Sequence, residues 1–183
     1  KAVELHEKAL LIFKYNLHEA HPFFAQVYNN LANPYLSKGK LEKTIEMCHN
    51  ALLVSGYNQL NDMGRVLNLE QTNKALFLLA KTSIRQYQNT AKSIYLSQSM
   101  DWIRQAMTGL DYQLHSASND IDKTHWIALD KDLYELPFQA YFSFRKSIIP
   151  DALNQLIFTA SEKIKSNLLY SQFKELGASH FAS

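Results

Sequence analysis

The sequence predicts an all-α protein: a stack of antiparallel helix hairpins, an α-solenoid, of about seven helices. Three observations lead there. Apolar residues recur at helical spacing in paired stretches, as in Tyr28, Leu31, Ala32 and Tyr35 at i, i+3, i+4 and i+7. The pattern repeats along the chain: Thr44 follows Ala2 by 42 residues, and Ala51 follows Ala9 by the same interval. Five Gly and four Pro in 183 residues leave little material for long loops.

The first hairpin lies between His21 and Tyr57. Its first helix carries the Tyr28 to Tyr35 face, and Ser37-Lys38-Gly39-Lys40 interrupts it. Thr44, Cys48, Ala51 and Leu52 form the facing stripe of a second helix, which Gly56 ends. Leu31 and Ala51 are expected to be buried where the two helices meet. Pro34 lacks an N–H and its ring clashes with the carbonyl of Asn30, so a kink or an early helix end after Asn33 is expected. Pro22 suits a first helical turn, where an N–H is not needed.

Ala2, Leu5, Ala9 and Ile12 already carry helical periodicity, matching the second helix of a hairpin. The chain is therefore expected to be a fragment of a longer one, with its first repeat beginning upstream. Residues 1–57 are assigned to regular 42-residue repeats, residues 58–71 to an irregular connection, and residues 72–176 to long-armed hairpins, all within one helical domain spanning 1–183.

In the second half, Leu76, Leu79, Ala80, Ser83 and Tyr87 give another first-helix face. Ile103 and Ala106 mark its partner, running from about Ser93 to His115. Ala80 and Ala106 are 26 residues apart, against 19 for Ala32 and Ala51. The seven extra residues equal about two helical turns, so the arms lengthen without a change of phase. A further helical segment is expected from Asp120 to Phe144, kinked or split by Pro137. A last helix should start at Pro150-Asp151 and stop at Gly177, leaving a frayed tail.

The residue types are more specific than the period. An aromatic, then Leu, a small residue and Tyr, as in Tyr28, Leu31, Ala32 and Tyr35, followed by the turn Gly39 and the small Ala51, resembles a tetratricopeptide repeat. The 42-residue period, His21-Pro22 and Asn29-Asn30-Leu31-Ala32 resemble the longer variety in kinesin light chains. Over residues 72–176, Leu78-Leu79-Ala80-Lys81, Tyr134-Glu135 and Glu162-Lys163-Ile164-Lys165 with Leu168-Leu169 resemble the repeats that precede a caspase-like CHAT domain in bacterial proteins. That resemblance implies an interaction or regulatory segment of a larger protease. Its partner would be a protein or peptide, the CHAT domain of its own chain among the candidates. The rival reading is a structural spacer, or a module that positions such a protease.

Composition excludes other classes. The net charge is only +2, from 19 Lys and Arg against 17 Asp and Glu, which argues against a nucleic-acid surface. No apolar run reaches the ~20 residues of a membrane span. The single Cys48 allows no internal disulfide and fits a reducing, cytoplasmic compartment. It sits on a packing face, unlike a nucleophile, which needs access and a neighbouring base. His18, Glu19 and His21 straddle a loop without a second cluster at zinc-like spacing, so loop and capping roles are the simpler reading. Asp132 and Glu135 read as a solvated face, and no Gly-rich phosphate loop exists. No catalytic residue, metal or cofactor is assigned.

One constellation remains as a candidate site. Measured at 100° per residue from Tyr28, the core residues Leu31, Ala32 and Tyr35 fall within about 60° of zero. Gln26, Asn29 and Asn33 fall at about 100–160°. Measured from Leu76, Lys74, Lys81 and Arg85 fall at about 140–180°. First helices line the concave face of a hairpin stack, so these six residues are expected to share it. The amides would pair with an extended peptide backbone, and acidic residues of a partner would lie toward Lys81 and Arg85. The alternative is an ordinary solvated face.

Overall fold

The computed structural model describes residues 4–5, 7–8, 10–12, 21, 23–58, 63–116, 131–144 and 150–181. Among these residues all regular structure is helical and no strand occurs. After the helical residues between 4 and 12 come α1 (Phe23–Ser37), α2 (Leu41–Val54), a 3-10 turn (Met63–Arg65), α3 (Leu69–Thr90), α4 (Ser93–Ser116), α5 (Lys131–Ser143) and α6 (Asp151–Phe181). Helix α1 packs on α2 and α3 on α4, which makes two successive hairpins. Both α1 and α2 also meet α3, while α5 packs across α3 and α4, and α6 meets both α5 and α4. The protein is an all-α stack of helix hairpins.

The first hairpin is set by glycine chemistry at both helix ends. Gly39 (φ +71°) follows α1, and its N–H donates to Leu36 O at 3.0 Å while Lys40 N–H donates to Tyr35 O at 2.9 Å. Gly56 (φ +69°) follows α2 with the same pair of bonds, to Leu53 O and Leu52 O, both at 3.0 Å. This Schellman arrangement satisfies carbonyls that a helix end leaves open, and it needs a residue without a Cβ in the left-handed region. Helix α3 starts differently: Asn68 caps it by accepting from Gln71 N–H at 3.2 Å. It ends on Ala91, which takes φ +55° although it has a Cβ, and Lys92 alone then separates it from α4.

Leu31 and Ala51 are both buried, as the helical phase requires. Ala51 belongs to the main core with Ala32, Cys48, Leu76, Leu79, Ala80, Ile103 and Ala106. Leu31 and Tyr35 instead form a smaller cluster with Leu10 and Met47, toward the chain's first residues. At Gly109 a Cβ would lie 2.0 Å from Asn73 Oδ1, so the Asn73 amide occupies the notch that the missing side chain leaves. Burial of this kind supplies most of the stability of short helices, which are marginal alone.

Several sequence expectations need correction. Helix α1 does not end after Asn33 but runs through Pro34 to Ser37. Pro34 removes only its own bond toward Asn30, its carbonyl still accepts from Lys38 N–H at 3.1 Å, and Tyr35 and Leu36 just beyond it are buried. Pro137 does not split its helix either: α5 continues through it, with Leu133, Tyr134, Leu136 and Ala140 buried. Residues 117–130, where that helix was expected to begin, lie outside the described residues. Gly177 does not stop α6, which extends to Phe181. A glycine ends a helix when it takes positive φ; inside one it costs only about 1 kcal/mol relative to Ala. The long first helix of the second hairpin begins at Leu69, where Asn68 caps it, so its first residues fall within the stretch 58–71 read as a connection.

Candidate peptide-binding groove

Helices α1 and α3 are first helices of successive hairpins, and three side-chain links join them. Asn29 Nδ2 donates to Gln71 O at 2.8 Å and to Gln71 Oε1 at 3.0 Å. Lys74 Nζ donates to Asn30 Oδ1 at 3.4 Å. Arg85 donates from its guanidinium to Leu36 O at 2.8 Å, near the C-terminal end of α1. The links advance in the same order along both helices, so the two run in the same sense.

Toward the C-terminal end of α1 a polar groove of about 260 Å³ opens between the helices. From α1 come Asn33, Leu36 and Ser37; from α3 come Lys81, Ile84, Arg85 and Gln88; Gln139 reaches in from α5. The Gln88 amide donates to Ser143 Oγ at 2.7 Å, so α5 walls the groove at its Gln88 end.

The electrostatics are one-sided. Lys81 and Arg85 are one helical turn apart and no carboxylate lines the groove. Among the described residues neither reaches a carboxylate. Lys81 Nζ lies 4.8 Å from the Phe77 ring centroid, a cation–π contact, and Arg85 rests on the Leu36 carbonyl at the negative end of α1. Like charges at i, i+4 repel by about 0.2–0.5 kcal/mol.

The structure brings together three of the six expected site residues. Asn33, Lys81 and Arg85 line one groove. Gln26 is exposed on α1 outside the lining, and Lys74 is exposed and spends its ammonium on Asn30. Asn29 corrects the expectation outright: it is fully buried and its amide ties α1 to α3. Asn29 and Asn33 share a helical face, but the first turn of α3 covers that face at residue 29 and leaves it open at residue 33. Helical phase alone does not distinguish the two. Gln88 could have been found from sequence, being seven residues past Lys81 on the same face. Gln139 could not, because nothing local indicates that α5 lies across α3.

Other sequence candidates have structural roles. Cys48 is fully buried, and burial pushes its thiol up to about 12, so it stays protonated at neutral pH. His21 Nδ1 accepts from Phe23 N–H at 3.2 Å at the start of α1, while His18 and Glu19 lie outside the described residues. His49 meets Trp102 edge to face at 6.1 Å. Asp132 and Glu135 are exposed on α5. The Tyr35 hydroxyl donates to Glu7, which with burial raises its pKa to about 12. Among the described residues no group of three His, Cys, Asp or Glu could hold a metal ion, and no helix is long and apolar enough to cross a membrane.

No family model matches this sequence, and no curated protein and no solved structure matches it.

Proposed function

We propose that this chain is a non-enzymatic interaction scaffold that binds a segment of a partner protein in the groove between α1, α3 and α5. One observation carries the reading: Lys81 and Arg85 converge with the amides of Asn33, Gln88 and Gln139 on a concavity that no carboxylate lines. Two like charges one turn apart are a small cost that an anionic ligand would remove. The order of Leu78-Leu79-Ala80-Lys81, Tyr134-Glu135 and Glu162-Lys163-Ile164-Lys165 supports placing the scaffold ahead of a CHAT domain in a cytoplasmic bacterial protein, as its regulatory part.

Panning a peptide-display library on the full chain tests this reading. Selected peptides should be enriched in acidic residues and should be lost on Lys81→Glu with Arg85→Glu, but retained on Lys165→Glu, an exposed cation on α6. Binders indifferent to the first pair would overturn it.

A further inference from the structure

The groove's geometry carries information on the form of the ligand as well as its charge. Lys81 and Arg85 are four residues apart on α3, so their Cα atoms are separated by about 6 Å along the helix axis. In an extended chain, residues i and i+2 point to the same side and lie about 6.6 Å apart. The repeat of the two positions along α3 therefore matches alternate residues of a strand, whereas adjacent residues would point to opposite sides.

The ends and size of the groove narrow this further. Gln88 lies about 4.5 Å beyond Arg85 along α3, and there Gln139 and the bond from Gln88 to Ser143 wall it off. A volume of about 260 Å³ is below the ~300–1,000 Å³ of pockets that enclose whole small molecules. It seats a few side chains of a chain lying along α3, and it is too small for a folded element.

We infer that the groove reads an extended acidic segment of a partner protein with carboxylate side chains at alternate positions, one toward Lys81 and the next toward Arg85, and that Gln88 and Gln139 bound the segment at the α5 end. This rests on the proposed partner-binding role of the groove and adds the spacing of the acids.

The test uses labelled peptides of equal composition and charge with blocked ends: acetyl-Ser-Glu-Ala-Glu-Ala-Ser-amide and acetyl-Ser-Ala-Glu-Glu-Ala-Ser-amide. A third, Ser-Ala-Ala-Ala-Ala-Ser with an acetylated start and a free C-terminal carboxylate, reports chain-end recognition. Fluorescence anisotropy on the full chain should show the alternating peptide binding about three- to fivefold more tightly than its isomer, the scale of one surface ion pair. In Lys81→Met, and in Lys81→Met with Arg85→Met, the two isomers should bind equally weakly. Arg85 also holds the Leu36 carbonyl, so the single variant keeps the test valid if the double variant loosens α1. Equal affinities in the parent, with loss in the Lys81 variant, would overturn the spacing and leave the groove as a binding site. Affinities untouched by either variant would overturn both. Tightest binding of the free-carboxylate peptide would replace side-chain reading by chain-end reading, and failure of all three to bind would overturn the acidic ligand itself.

Discussion

The Asn29 amide donates at once to the backbone carbonyl and to the side-chain oxygen of Gln71, 42 positions further along the chain. This buried pair fastens the first helix of one hairpin to the first turn of the next. Two residues on, Asn73 Nδ2 donates to Gln113 Oε1 at 2.9 Å, which ties α3 to its own partner α4. The first turn of α3 is thus held on two sides by amide bridges.

Removing the first bridge should be costly. Asn29→Ala removes both bonds and leaves the buried Gln71 Oε1 without its donor, which should lower stability by about 1–3 kcal/mol. Asn33→Ala, one turn on and exposed, should change it by less than about 0.5 kcal/mol. Chemical denaturation of both variants checks the contrast; equal midpoints would mean that Asn29 is not the fastening.

This pair also marks how far the sequence could be read. Helical periods, the burial of Leu31 and Ala51, and the span of α4 follow from local pattern. Each depends on residues within a few turns. The difference between Asn29 and Asn33 depends on where α3 lies, and Gln139 enters the groove only because α5 crosses α3. Both are consequences of packing between elements far apart in sequence. The prolines misled for a related reason: the cost of Pro34 and Pro137 is local, while the burial that offsets it is not.

Gly109→Ala should destabilise the second hairpin by about 1–3 kcal/mol, because the new Cβ would overlap Asn73 Oδ1. The penalty should shrink in an Asn73→Ala background, where the notch is empty. A double-mutant cycle measures that coupling; additive effects would place the strain elsewhere.

Ala91→Gly should stabilise. A left-handed Ala costs about 1–2 kcal/mol, and the added freedom of Gly in the unfolded chain returns about 0.4–1 kcal/mol of that, leaving a gain of roughly 0.5–1 kcal/mol. Thermal unfolding of the variant reads it directly; a lower midpoint would contradict the positive φ.

Cys48 gives a pH signature. Its folded pKa is raised to about 12 from a reference of 9.0 by burial, so the unfolded chain releases the thiol proton first. The contribution is fully present below pH about 9 and is lost as pH rises toward 12. Cys48→Ala should fall less steeply in stability across that window, and a thiol reagent at neutral pH should label the parent only when it unfolds. Fast labelling of the native chain would place Cys48 at the surface.

Amide-resolved NMR during titration with the alternating acidic peptide locates the segment proposed to lie between α1, α3 and α5. Shifts should concentrate at Asn33, Lys81, Arg85 and Gln88 and at the side-chain amide of Gln139, and should fade as salt is raised. Shifts confined to the opposite side of the stack, around His49 and Trp102, or no shifts at low salt, would contradict that placement.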